Sequence, residues 1–297
     1  MTANDARVSG RVVAAFGRLF LVDTPAGERL RCVPRGKRGG YACGDTVLVA
    51  RTSPGEGVIE AADPRATLFL RAAPHRQKLI AANATQVAVI VAGEPSMSDE
   101  LVCRVLVAAE CQHLRALIVL NKTDLEAATA TARGRLAPFV AAGYSIAAVS
   151  AKGDIGPLRS HLADETTVLI GQSGMGKYTI VNALVPDAAA ATQDISRFLD
   201  SGRHTTTASR LYRLDASTAI VDSPGVQEFG LAHLAPADIE RGFRELAPFA
   251  GRCRFPDCRH RTEPGCAVRA AVEQGAAHPR RVELLHRILD AERTARR

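Results

Sequence analysis

Apolar runs of two kinds divide the chain. Over residues 10–59 they are brief and interrupted: 11–16, 18–23, 28–33 and 46–50 carry β-like runs, separated by turn residues such as Thr24-Pro25-Ala26-Gly27 and Gly39-Gly40. That spacing predicts a small antiparallel barrel or sandwich. Beyond a linker at Asp63-Pro64 the pattern changes. Residues 86–92, 116–120, 144–149 and 166–170 read as buried strands, with helices predicted over 98–111, 125–142 and 155–162 between them. Strand and helix in alternation predict a mainly parallel sheet covered on both faces, with ligands at the carboxyl ends of its strands.

The first module resembles an OB-fold of five strands, with an SH3-like barrel as the competing arrangement. Its few aromatic residues, Phe16, Phe20 and Tyr41, leave phosphate contacts to dominate over base stacking, so it is expected to recognise RNA by shape. Charge points the same way. Lys and Arg number 38 against 31 Asp and Glu, a formal net charge of +7 in 297 residues. Arg29, Arg31, Arg35, Lys37 and Arg38 crowd one early segment, and Arg280, Arg281, Arg287, Arg293, Arg296 and Arg297 crowd the tail. Both ends are expected to face a polyanion.

No run approaches the ~20 apolar residues that span a bilayer, and the first residues lack the layout of a signal peptide. A cytoplasmic protein without membrane contact is expected. No heptad seam stands out, and a monomer is the default. Seven cysteines are an odd number for a disulfide framework. Cys253, Cys258 and Cys266 gather around His260, which suits one structural, tetrahedral Zn²⁺ in a reducing compartment. Cys32, Cys43, Cys103 and Cys111 are scattered and read as ordinary thiols.

Two nucleotide-binding devices stand in the reverse of their usual order. Asn121-Lys122-Thr123-Asp124 follows a strand-like run, and its carboxylate can accept two hydrogen bonds from guanine's N1–H and 2-amino group. Adenine offers no such pair. Ser150-Ala151-Lys152 ends the next strand, where a backbone N–H can meet O6 of the base. Only afterwards comes Gly171-Gln172-Ser173-Gly174-Met175-Gly176-Lys177, between the run 168–170 and a helix-like stretch over 180–184. That is a P-loop, whose amides cradle phosphates and whose Lys reaches the terminal ones. Asp222-Ser223-Pro224-Gly225 ends another run, 219–221. Its Asp222 is placed for a magnesium-bound water and its Gly225 amide for the γ-phosphate, while Gly202-Arg203-His204-Thr205-Thr206-Thr207 offers hydroxyls for Mg²⁺.

The order of guanine loop, P-loop, switch loop and Asp-x-Pro-Gly, with a barrel before it and a Cys/His cluster after it, resembles the circularly permuted ribosome small-subunit-dependent GTPases, the RsgA family. The resemblance implies an OB-fold domain over 1–63, a circularly permuted α/β GTPase domain over 64–248, and a zinc-binding helical domain over 249–297. It further implies GTP hydrolysis in late maturation of the small (30S) ribosomal subunit, stimulated by that particle, with rRNA as partner. Asn121, Lys122 and Asp124 match the guanine readers, residues 150–152 their support, 171–177 the phosphate cradle, and Thr205 or Thr206 with Asp222 the magnesium and γ-phosphate switches.

Two positions depart from the common pattern. Val226 follows Asp-x-Pro-Gly, where many GTPases carry a water-orienting Gln, so His204 becomes the candidate for that role. Tyr178 follows Lys177, where Ser or Thr normally offers a short hydroxyl to Mg²⁺. A phenol oxygen lies far beyond that reach, and Thr179 is turned about 100° around the helix. GTP and GDP binding are expected to survive through amides, Lys177 and Asp124, with magnesium affinity and hydrolysis weakened. The leading expectation is thus a Mg²⁺-dependent GTPase. The alternative is a nucleotide-gated rRNA-binding assembly factor with little or no turnover. An ATP-dependent enzyme is opposed by Asp124.

Overall fold

The computed structural model describes residues 7–36, 40–73, 76–186, 188 and 209–295. It opens with β1 (Arg7–Phe16), β2 (Leu19–Asp23), β3 (Arg29–Pro34), β4 (Thr46–Ser53) and β5 (Glu56–Ala62). β1 pairs antiparallel with β2 and β4, β2 with β3, and β4 with β5, while β3 runs parallel to β5. The ring therefore closes, and closure leaves no unpaired edge. This is the expected OB-like barrel, with a fifth strand that the sequence pattern had left unmarked. Alternate residues fill it: Leu30 and Cys32 of β3, and Val47 and Val49 of β4, pack with Val12, Phe20, Val22 and Ile59.

β6 (Leu68–Ala73) and β7 (Arg76–Ala82) then form a hairpin sheet of their own, which the apolar pattern did not predict. The α/β layer follows with β8 (Gln86–Ala92), α1 (Asp99–Cys111), β9 (Arg115–Asn121), α2 (Glu126–Ala141), β10 (Ser145–Ala148), α3 (Gly156–Leu162), β11 (Thr166–Gly171) and α4 (Lys177–Leu184). After the undescribed stretch come β12 (Ser209–Arg213) and β13 (Ala219–Asp222). The spatial order is β10-β9-β8-β11-β13-β12, parallel throughout except for β12. Every residue of β8 is buried, as a central parallel strand requires. β12 also pairs with β1 through Arg210 opposite Ala14 and Ser209 opposite Ala15, so barrel and α/β layer share one continuous hydrogen-bonded sheet across the expected boundary near residue 63.

The chain ends in α5 (Pro236–Arg241), α6 (Ala267–Glu273) and α7 (Pro279–Ala295). α7 is keyed into the α/β layer by charged side chains. Arg281 is fully buried: its Nε donates to Glu245 Oε1 at 2.5 Å and its Nη1 to Cys103 Sγ at 3.1 Å. The rings of Phe139 and Phe243 lie 4.8 and 4.7 Å from the guanidinium. This corrects the expectation of a polyanion contact for Arg281, since a guanidinium without water must find its carboxylate and rings inside the fold, while Arg287 and Arg293 stay exposed. Arg280 is likewise engaged, with Asp99 and Glu283. At the other end Arg29 pairs with Asp23 and Arg35 with Glu60. Lys37, Arg38, Arg296 and Arg297 lie outside the described residues.

Candidate functional site

The P-loop begins where β11 ends, at Gly171, and delivers the chain into α4 at Lys177. Two glycines make the turn possible. Gly174 and Gly176 take φ of +83° and +84°, and a Cβ on Gly176 would lie 2.3 Å from Asn121 Nδ2. Only glycine meets both demands. α4 has no side-chain cap at its N-terminus, which leaves its first amides to an anion. The loop's side chains do different work from its backbone: Met175 is buried in the core, and Gln172 Oε1 accepts from the backbone N–H of Ser98 at 2.8 Å. Ser173 is exposed.

Asn121, at the end of β9, ties the loops together. Its Nδ2 donates to the Met175 carbonyl at 2.9 Å, and its Oδ1 accepts from the backbone N–H of Ala151 at 3.0 Å. Lys122 has a left-handed φ of +61° and donates from Nζ to the Glu94 carbonyl at 2.8 Å. The backbone N–H of Thr123 donates to the Val149 carbonyl. Asp124 is exposed, and its Oδ1 accepts from Ser150 Oγ at 2.7 Å. That hydroxyl holds the carboxyl below the usual range, helped by Asp124's own backbone N–H and by Lys152 and Lys122. An ionised, outward-facing acceptor beside the amides of residues 150–152 can read a base that presents adjacent donors. The expected base and phosphate residues therefore meet at the carboxyl ends of the parallel strands.

Asp222 leaves β13 beside the P-loop and forms an ion pair with Lys177. Ser223 Oγ donates inward to the Leu169 carbonyl at 2.9 Å, and the backbone N–H of Val226 donates to the Gly171 carbonyl at 3.1 Å. Residues 222–226 thus ride along the phosphate loop, with the Val226 side chain buried. Tyr178 is 65% exposed on the first turn of α4. Thr179 beside it is half-buried. His204, Thr205 and Thr206 lie outside the described residues.

The ligand atoms of Cys253, Cys258, His260 and Cys266 all fall within 4.8 Å of one another. Cys253 Sγ stands 3.5 Å from His260 Nδ1 and 3.9 Å from Cys266 Sγ, and His260 Nδ1 stands 3.3 Å from Cys266 Sγ. Backbone amides of His260, Ala267 and Arg269 point at Cys258, Cys253 and Cys266 respectively, so a donor faces each sulfur. Four soft donors this close suit one structural metal ion. The sequence reading missed Glu240 of α5, whose Oε2 lies 3.7 Å from the outer nitrogen of His260. Nothing in its spacing marks it, because it joins the cluster only through packing of α5. Burial disfavours the thiolate of the remaining cysteines, pushing Cys32 and Cys43 up to about 12, and Cys103 and Cys111 up to about 11.

A family model described as RsgA GTPase matches residues 62–232. The chain is 52% identical over 287 residues to a Nitrosospira multiformis protein named small ribosomal subunit biogenesis GTPase RsgA, an overlap of 97% of this chain and 92% of that one. Its structure is similar to that of YjeQ from Thermotoga maritima, with a TM-score of 0.74, 29% identity, and 97% and 99% of the two chains covered. The fold is also that of YloQ, described as a circularly permuted GTPase, with a TM-score of 0.68 at 23% identity and 98% of each chain covered. The guanine-loop-first order, the leading barrel and the Cys/His cluster are thus explained together: the chain belongs to the RsgA GTPase family.

Proposed function

We propose that this chain is a GTP hydrolase that acts in late maturation of the small (30S) ribosomal subunit, binding its rRNA and stimulated by that particle. The observation that carries the nucleotide half is Asn121, whose amide joins the P-loop carbonyl of Met175 to the Ala151 amide of the base loop. The Nitrosospira multiformis relative, 52% identical and named for small-subunit biogenesis, supports the ribosomal half. In this reading Asn121, Lys122, Thr123 and Asp124 hold guanine with residues 150–152, and 171–177 hold the phosphates. Asp222 and Gly225, with Thr205 and Thr206, respond to the γ-phosphate, and His204 orients the water that attacks it. Residues 1–63, 64–248 and 249–297 are the functional divisions. A cytoplasmic monomer is the form in which we expect it to work.

The four clustered ligands would hold Zn²⁺. Tetrahedral edges of about 3.5–3.8 Å follow from ordinary Zn–S and Zn–N lengths, close to the 3.3–3.9 Å separations among Cys253, His260 and Cys266. With no position left open, the ion's part is structural. Magnesium is a different matter. At the P-loop contact that normally supplies a hydroxyl the chain places an exposed phenol, and Lys177 already neutralises Asp222. The residues present do not fit that contact.

Tyr178 also favours a second reading, an rRNA-binding assembly factor that takes up GTP and GDP with little turnover. Multiple-turnover GTP hydrolysis, with and without purified small subunits, separates the two. Strong stimulation of the unaltered chain supports the hydrolase. Stimulation only after Tyr178→Ser supports the binding factor, and no response from either would overturn the ribosomal assignment.

A further inference from the structure

Taking the guanine-nucleotide site above as its basis, the geometry points to a step beyond it: we infer that this chain holds GDP without help from magnesium. Three groups of contacts normally act on a P-loop nucleotide, namely base readers, phosphate amides with Lys, and a metal fixed by the hydroxyl after that Lys. The first two are intact. Asn121 fixes the base loop and the phosphate loop to each other, Gly174 and Gly176 keep the left-handed turns that aim amides inward, and Lys177 stands at the start of α4. The third is missing at its anchor.

Neither Tyr178, Thr179 nor Ser223 replaces it. Tyr178 is 65% exposed, so its ring is not folded into the cradle. Thr179 is displaced around the helix by about 100°. Ser223 is turned the other way, committed to the Leu169 carbonyl at 2.9 Å. Asp222 is paired with Lys177, which can face the carboxylate and a β-phosphate oxygen together and so offset their mutual repulsion. GDP lacks the γ-phosphate that would approach Asp222 most closely. For the diphosphate, therefore, the chain supplies its own cation and offers the metal no hydroxyl at the position after Lys177.

The test is a fluorescence titration of the full chain with a fluorescently labelled GDP, in excess Mg²⁺ and again in EDTA. It is repeated for Tyr178→Ser and Tyr178→Phe, with Asp124→Asn as a check on base recognition. The parent and Tyr178→Phe are expected to change Kd less than about threefold on chelation, whereas Tyr178→Ser should lose about tenfold, the scale of one contact to a charged group. Because Tyr178 is exposed, neither substitution threatens the fold. A parent as magnesium-dependent as Tyr178→Ser would overturn the inference while leaving the nucleotide site standing. So would a parent whose magnesium dependence disappears in Tyr178→Phe, since the phenol would then be a ligand. Absence of GDP binding in both buffers would overturn the inference together with the site on which it rests.

Discussion

Glu292, near the end of α7, accepts the backbone N–H of Leu231 at 3.0 Å, just beyond the segment that lines the phosphate loop. The same oxygen accepts from Arg104 Nη1 of α1 at 2.5 Å, with Glu292 and Arg104 only 8% and 11% exposed. On its other side the 230–232 backbone pairs with Ala72 of β6. The last helix, the hairpin and the stretch after Asp222-Ser223-Pro224-Gly225 therefore meet at one place. A displacement of the backbone at Leu231 would be felt by α7 and by the hairpin together.

Replacing Glu292 tests how firmly that junction is held. Glu292→Ala leaves Arg104 buried with only the more exposed Glu100 and orphans the Leu231 amide. The expected loss is about 3 kcal/mol, the lower end for breaking a buried pair because Glu100 remains. Glu292→Gln keeps an acceptor for the amide and should lose about half as much. Urea unfolding measures both, and equal losses would mean that the amide contact contributes nothing.

Arg281 makes a related point about what the sequence could disclose. Buried strands such as 86–92 and 166–170 were legible because continuous apolar runs have few other uses, and the loops that follow them carry recognisable chemistry. The candidate base and phosphate residues accordingly sit at the strand ends. α7 was not legible: its sequence is rich in Arg and Glu, and nothing local distinguishes buried Arg281 from exposed Arg287. That difference is decided by Glu245, Phe139 and Phe243, each distant in the chain. The β6–β7 hairpin escaped for a similar reason, because Arg71, Gln77 and Lys78 interrupt its apolar positions.

If Arg281 is a structural clamp and not an RNA contact, Arg281→Ala should destabilise by about 4 kcal/mol through the stranded carboxylate of Glu245. RNA affinity of the fraction that remains folded should be unchanged. Denaturation and a filter-binding titration below the transition check the two halves. Weakened RNA binding without lost stability would return Arg281 to the surface.

Asp124 gives a pH dependence. Its carboxyl lies below the usual range chiefly because Ser150 donates to it, so base recognition should persist as pH falls until the carboxylate is finally protonated. Ser150→Ala removes the main cause and should raise the pH at which GTP affinity is lost on acidification. Titrating labelled GTP across acid pH measures the midpoint. An unmoved midpoint would show that Ser150 does not tune the acceptor.

The imidazole of the metal centre keeps its proton to higher pH than an isolated histidine. Glu240 and the neighbouring thiols lift His260 to about 9 in the metal-free chain, although burial acts against them. A metal ion must therefore displace a proton from His260 as well as from the thiols, and affinity should fall steadily as pH drops from 9 toward 6. Glu240→Gln keeps the side chain's shape but removes the charge behind the ring. It should weaken metal binding by about 10- to 100-fold where His260 is already neutral, above pH 9, and by less near neutral pH, where Glu240 also holds the competing proton. A chromogenic chelator competition at several pH values reads both effects, and release of less than one ion per chain from the metal-loaded protein would remove the four-ligand site altogether.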